Sequence, residues 1–248
     1  MKNNLYLDIN VIQTMPPSNV NRDDTGSPKT AQYGGVRRAR ISSQSLKRAM
    51  RKYFLENGAD IGIRSLRIPD YIADKIQDLD ASIQREDAVK MAVDVLKKAK
   101  ISTRKKDGTV KVKALFFISN TQASMLAKAA IEGVGERDVL AKIIKEKPSV
   151  DIALFGRMVA SDTSLNEEAS SQVAHAISTH EVRNEFDFYT AVDELNVGDD
   201  SGAGMLGTTE YNSSTLYKYG NVAVHDFYSK LDNDKEMTIE ALKLFAEL

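Results

Sequence analysis

Seven positive side chains lie between positions 37 and 52: Arg37, Arg38, Arg40, Lys47, Arg48, Arg51 and Lys52. No acid interrupts them, although the chain as a whole carries a formal charge of −1. A local excess of one sign in a balanced chain is the footprint of a surface that meets phosphates. Ser42, Ser43, Gln44 and Ser45 sit in the middle of the run. Beyond them Leu46, Ala49, Met50 and Tyr53 recur at helical spacing, which predicts a helix with one packed face. Ser42 or Ser43 is the expected N-cap. A helix that starts there offers free backbone N–H groups to an anion, with hydroxyls and an amide beside them. Lys47, Arg48, Arg51 and Lys52 are then expected on the exposed side. A merely solvated helix face would mix signs, and this one does not.

Other chemistry has thinner support. Asp23 and Asp24, beside Arg22, offer the hard oxygens that a magnesium ion at an RNA backbone needs. Adjacent acids in a polar loop more often form turns or pair with nearby arginines. Residues 202–207 match the G-x-G-x-x-G dinucleotide fingerprint. No strand leads into them, no helix follows, and Asp199 and Asp200 would repel a pyrophosphate, so a flexible turn is the better reading. His175 and His180 are five apart on an expected strand and point to opposite faces, which excludes a shared metal ion there. No serine has a G-x-S-x-G context. No metal site and no cofactor is expected. Met158, after Arg157, is by type a core filler, but at a nucleic-acid surface a methionine can wedge between bases.

These residues need a framework, and 248 residues allow one large domain or two small ones. Apolar content of 42% supports a real core, and the absence of cysteine excludes disulfides and thiolate metal sites. The N-terminus lacks an apolar h-region and no run approaches a membrane span, so a soluble cytoplasmic protein without membrane contact is expected. Leu5, Leu7, Ile9 and Val11 alternate with polar or exposed positions as in a half-buried strand, expected to end at Pro16-Pro17. The polar stretch 18–33 is long for a structureless connection, and such loops tend to be functional or mobile.

Residues 58–149 read as a helical insertion, with stripes at Ile72, Ile76, Leu79 and Ile83 and at Val89, Val93 and Leu96. A second basic stretch, 97–113, surrounds a hairpin-type turn at Lys106-Asp107-Gly108, and residues 113–119 read as a buried strand. Val150, Ile152 and Leu154 alternate as in a strand, as do residues 172–182. Residues 181–211 form an expected protruding hairpin with a glycine-rich tip, residues 216–224 a further strand, and residues 236–248 an amphipathic helix.

The segment Asn21-Arg22-Asp23-Asp24, then Gly34-Gly35, Arg37-Arg38, Arg40-Ile41-Ser42-Ser43-Gln44-Ser45-Leu46-Lys47-Arg48-Ala49-Met50-Arg51, closely resembles the CasC family, the backbone subunit of the type I-E CRISPR Cascade in the RAMP superfamily. The series continues through Asp151-Ile152-Ala153-Leu154, Gly156-Arg157-Met158, Ala174-His175-Ala176-Ile177, Thr179-His180, Thr190-Ala191-Val192-Asp193, Leu206-Gly207-Thr208 and Tyr217-x-Tyr219. The resemblance implies an α+β fold: an RRM-like (ferredoxin-like) palm in residues 1–57 and 150–248, helical fingers in 58–149 and a β-hairpin thumb at about 181–211. It implies a non-catalytic subunit, copies of which line up along one CRISPR RNA and present it for pairing with a target DNA strand in antiviral defence. Other Cascade subunits and a recruited helicase-nuclease are the further partners.

Carried over by residue, the RNA contacts implied are Arg22, Lys29, Ser42, Gln44, Lys47, Arg48 and Arg51, with Met158 wedging against bases; Arg37, Arg38, Arg40 and Ser43 join them from the basic run. Residues 97–113 would meet target DNA. Family members are longer, so the C-terminal part of the palm is expected to be missing and a sheet edge exposed. The alternative is a magnesium-dependent RNA endonuclease using Asp24, as in related backbone subunits; a protein–protein adaptor with a basic face is a third reading.

Overall fold

The N-terminal alternation becomes β1 (Tyr6–Ser18), with Leu7, Ile9, Val11 and Met15 half-buried and Tyr6, Asp8, Asn10 and Ile12 exposed. In the computed structural model, which describes residues 4–106, 108–191 and 205–247 (Lys106 by its backbone alone), the strand runs on through Pro16 and Pro17. Proline cannot donate to a ladder but is tolerated on an edge, and β1 ends the strand order of its sheet.

There follow β2 (Thr30–Tyr33), β3 (Val36–Ile41), α1 (Ser43–Glu56), β4 (Ile63–Ser65), α2 (Ile68–Leu79), α3 (Arg85–Lys98), β5 (Thr103–Lys106), β6 (Thr109–Val112) and β7 (Phe116–Ile118). Then come α4 (Asn120–Ile131), α5 (Arg137–Lys145), α6 (Val150–Phe155), a 3-10 turn (Thr163–Leu165), β8 (Ser171–Val173), β9 (Ala176–Ser178), β10 (Glu185–Ala191), β11 (Met205–Ala223), α7 (Val224–Lys230) and α8 (Lys235–Ala246). This is an α+β chain with antiparallel strand pairing. No helix among the described residues is long and apolar enough to cross a membrane.

The chain divides into two units. One comprises Asp8–Ala49 and Val173–Asn221 and is built on a sheet of order β1-β11-β9-β3-β2, with β10 and β8 also pairing with β11. Leu216 and Tyr217 face Ser178 and Ile177 across β11 and β9, and Arg40 and Ile41 face Ile177 and Ala176 across β3 and β9. Ala39, Val182 and Leu216 form its small buried cluster, with Met15 and Ile41 against it.

The other unit comprises Met1–Leu7, Met50–Gln172 and Val222–Leu248. Its core gathers Ile68, Ile72 and Ile76 of α2, Leu96 of α3, Ile118 of β7, Leu126 of α4 and Leu140 and Ile144 of α5, all fully buried. Burial of each contributes about 1.5–3 kcal/mol. Ser119 and Gln122 close a capping box that starts α4 where the β7 strand stops. Strands β5 and β6 pair as the basic stretch predicts, though Asp107 of the turn lies outside the described residues.

Three sequence readings are corrected. Residues 150–155 are the helix α6, not a strand. Val150, Asp151, Ile152, Ala153 and Leu154 are all buried, and a run buried on every side carries no period to separate helix from strand. Residues 172–182 hold two short strands, β8 and β9, with Ala174 and His175 between them. On α1 the buried residue is Phe54, and Ala49 is exposed.

Candidate nucleic-acid interface

Strand β3 sets the arginines on alternate faces. Arg37 is exposed, while Arg38 and Arg40 are half-buried and point opposite to the buried Ala39. Arg38 donates from Nε to the Tyr33 carbonyl (3.0 Å) and from Nη1 to the Ser178 carbonyl (2.8 Å). Its guanidinium also sits 5.8 Å from the Tyr33 ring centroid. Arg40 donates from Nε to the Thr30 carbonyl at 3.2 Å. Carbonyl oxygens hold a guanidinium in place without cancelling its charge. Among the described residues no carboxylate pairs with Arg22, Lys29, Arg37, Arg38, Arg40 or Arg48. Several cations fixed on one unit with no counter-charge make a standing attraction for an anion.

The start of α1 follows the expected cap but leaves fewer free amides than the sequence suggests. Ser42 is buried and its Oγ accepts from Ser45 N at 3.3 Å. Its own N–H goes to Asn21 Oδ1 at 2.9 Å. Ser43 N–H goes to His175 Nδ1 at 3.3 Å, so that ring carries its proton on Nε2. Ser42 is therefore a cap and not a surface donor. Ser43 is half-buried with its Oγ 3.5 Å from Gln44 Oε1, and Gln44 itself is exposed. Arg48 is exposed, whereas Lys47 is half-buried and burial pushes its ammonium pKa down.

The loop before β2 is fastened, not loose. Asp23 Oδ1 accepts from Thr25 Oγ1 (2.7 Å), Thr25 N (2.9 Å) and Ser27 N (3.0 Å). The Thr25 hydroxyl bond, ahead of the backbone donors, holds the Asp23 carboxyl below the usual carboxylate range. Ser27 Oγ and Asn184 Nδ2 both donate to the Glu210 carboxylate, at 2.8 and 2.9 Å. Asn19 Nδ2 reaches the Glu210 carbonyl at 2.9 Å. Lys29 N bonds to the Asn21 carbonyl, and Arg40 N to the Lys29 carbonyl, so Arg22 and Lys29 leave a braced loop. Asp24 is exposed beside it. No group of three or more metal-ligating side chains occurs among the described residues.

Arg51 and Met158 belong to the helical unit. Arg51 donates from Nε to Asp151 Oδ2 at 2.7 Å and from Nη2 to the Gly62 carbonyl at 2.9 Å, with its guanidinium 4.6 Å from the Phe117 ring centroid. Asp151 is fully buried and also accepts from Gly62 N, Ser149 Oγ and Ile152 N. Arg51 is thus a structural partner of a buried acid, which sets it apart from the exposed cations it follows in sequence.

Met158 is 79% exposed, which removes it from the core-filler class. It is held on both sides. Gly156 ends α6 at φ 75°, and a Cβ there would lie 2.7 Å from the Glu167 carbonyl. Arg157 is 4% exposed and donates to the carbonyls of Leu165, Phe117 and Ile144 and to Gln122 Oε1, with burial pulling its pKa down to about 10. Val159 is buried, and its N–H goes to Asn166 Oδ1 at 2.7 Å.

Asp151, Glu210 and Asn184 escape sequence reasoning. Only Asp151 leaves a signal, as a lone acid inside an apolar run.

Among curated proteins no match to the sequence is found. Among solved structures, a chain of a "CRISPR RNA-guided surveillance complex, pre-nicking" superposes with a TM-score of 0.83 at 31% identity, over 97% of this chain and 70% of that one. A chain of a "CRISPR RNA-guided surveillance complex" gives a TM-score of 0.72 at 27% identity, with the same coverage of 97% and 70%. The CT1975-like protein family matches over residues 7–248. The resemblance to the CasC family drawn from the basic segment stands with these matches, and the chain belongs to the CT1975-like protein family.

Proposed function

We propose that this chain is a non-catalytic backbone subunit of a type I-E Cascade surveillance complex, holding CRISPR RNA and presenting it to a target DNA strand. The observation that carries this reading is the set of cations on the sheet unit that pair with no carboxylate among the described residues: Arg22, Lys29, Arg37, Arg38, Arg40 and Arg48. Lys47, Ser43 and Gln44 at the head of α1 are further contacts in this reading, and Met158 supplies the wedge. A holder that must accept any guide sequence should grip phosphates, not base edges. Charge fixed on backbone carbonyls does that. In this reading residues 1–57 and 150–248, which supply the large sheet, are the RRM-like palm, residues 58–149 the fingers, and the β10–β11 pair the thumb. Adjacent copies of the chain, other Cascade subunits and a recruited helicase-nuclease complete the assembly in the cytoplasm.

The test is fluorescence anisotropy of labelled single-stranded RNA across a salt series. Binding should weaken with salt by about 0.7 in log K per log salt for each phosphate neutralised. Arg37→Ala with Arg48→Ala should flatten that slope by about 1.4 regardless of RNA sequence. An unchanged slope would sink the assignment. The magnesium-dependent nuclease reading is separated by incubating bound RNA with magnesium: cleavage that disappears in Asp24→Ala would favour it. Asp23 is held by its own loop, which leaves that chemistry a single carboxylate.

A further inference from the structure

Glu210 is an acid on the unit that carries Arg22 and Lys29. A carboxylate facing RNA would repel phosphate. This one is half-buried and turned to neutral donors. Its Oε1 accepts from Ser27 Oγ at 2.8 Å and its Oε2 from Asn184 Nδ2 at 2.9 Å. Ser27 lies in the loop between Arg22 and Lys29, and Asn184 immediately precedes β10. A carboxylate accepts at both oxygens, which suits a place between a hydroxyl and an amide N–H. The carbonyl of Glu210 is tied as well, by Asn19 Nδ2 at 2.9 Å.

The strap continues on both sides. In the loop, Ser27 N donates to Asp23 Oδ1 at 3.0 Å, and Arg22 and Pro28 form a backbone bridge. At the base of the β10–β11 pair, Asn212 is buried and donates from Nδ2 to Asn184 Oδ1 at 3.2 Å. Register adds direction. Glu210 lies opposite Phe186, and Thr208 opposite Phe188. Side chains on a strand alternate, so these four share one face of the ribbon. The bond from Ser27 sets that face towards the loop, with Phe186 and Phe188 exposed along it.

We propose that Glu210 is a positioning residue for RNA binding: its carboxylate straps the β10–β11 pair to the loop that carries Arg22 and Lys29, so that ribbon and loop grip RNA as one piece. The proposal rests on the reading of Arg22 and Lys29 as phosphate contacts. Without the strap the two cations must be ordered when RNA binds, and that ordering lowers affinity.

The experiment measures geometry and binding separately. The chain has no cysteine, so spin labels at Val20→Cys and Thr208→Cys, both exposed, report the distance between loop and ribbon. The distance distribution should be narrow in wild type and clearly broader in Glu210→Ala. It should narrow again in Glu210→Gln, which keeps an acceptor for Asn184 and offers a donor to the Ser27 hydroxyl. With labelled single-stranded RNA, Glu210→Ala should raise Kd about fivefold and flatten the salt slope by up to about 1.4, the share of two phosphates. Glu210→Gln should stay within about twofold of wild type. Ala and Gln remove the same charge, so the strap alone separates them. In an Arg22→Ala, Lys29→Ala background, Glu210→Ala should add less than about 1.5-fold. Ser27→Ala cuts the loop arm alone and should broaden the distances even where Glu210→Ala folds poorly. Unbroadened distances in both variants, equal losses of binding in Glu210→Ala and Glu210→Gln, or an undiminished loss in the double-variant background would overturn the proposal. If Arg22→Ala with Lys29→Ala leaves binding unchanged, the reading of the loop as a phosphate grip fails, and the proposal with it.

Discussion

Arg48 and Arg51 lie three positions apart on one helix and do opposite work. Arg48 is exposed and meets no carboxylate among the described residues, whereas Arg51 neutralises an acid with no access to water. Removing one partner of a buried pair leaves the other charge stranded, so Arg51→Ala should lower stability by about 3 kcal/mol. Arg48→Ala should stay within about 0.5 kcal/mol yet weaken RNA binding. Urea denaturation of both variants beside an RNA titration checks the contrast. A run of like charges shows in sequence that a surface attracts phosphate. It does not show which cation is claimed by the fold, because the claimant, Asp151, sits 100 positions away. A longer separation, 183 positions from Ser27, hid Glu210, which closes the loop around Asp23.

At the level of elements, the turn after α6 decides where Met158 points. Gly156 has φ 75° and ψ 172°, a region that only glycine occupies without strain. Gly156→Ala should cost about 3 kcal/mol, combining that strain with the clash against the Glu167 carbonyl. A thermal melt would show it, and a melt within 1 °C of wild type would mean that the turn is not held as described. Further along, Arg137 of α5 and Ser164 anchor Asp162.

Those bonds, the Ser164 hydroxyl first, hold the Asp162 carboxyl down to about 2 against an ordinary 3.8. A folded-state value below the unfolded one gives stability that is complete above about pH 4. It is lost as the pH falls towards 2. Denaturation midpoints at pH 7 and pH 2.5 should therefore converge between wild type and Asp162→Asn at the acid end. Long periodic elements such as β1 and α1 were legible because their burial has two sides. The α6 helix was not, since its residues are buried all round, and neither was the break at His175, where pairing partners distant in sequence divide one alternating run into β8 and β9.

Across the molecule, positive charge stands on a chain whose total is −1. The net charge therefore says nothing of the interface, and its distribution says most. The basic segment and its serine cap could be named in advance, because residue type and spacing carry them, whereas Met158 is by type a core filler and is singled out only by the family resemblance. The bracing of the loop and the assignment of Arg51 depend on contacts between distant segments and could not.

Strand β11 runs unbroken for 19 residues, and in that length it faces β10 over Met205–Tyr211 and β9 at Leu216 and Tyr217. Side chains on a strand alternate, so adding or deleting one residue between these two stretches would turn one pairing inside out relative to the other. The four positions 212–215 should thus tolerate changes of letter but not of number. In an alignment of natural homologues this stretch should be free of gaps, and a single-residue insertion there should abolish soluble expression.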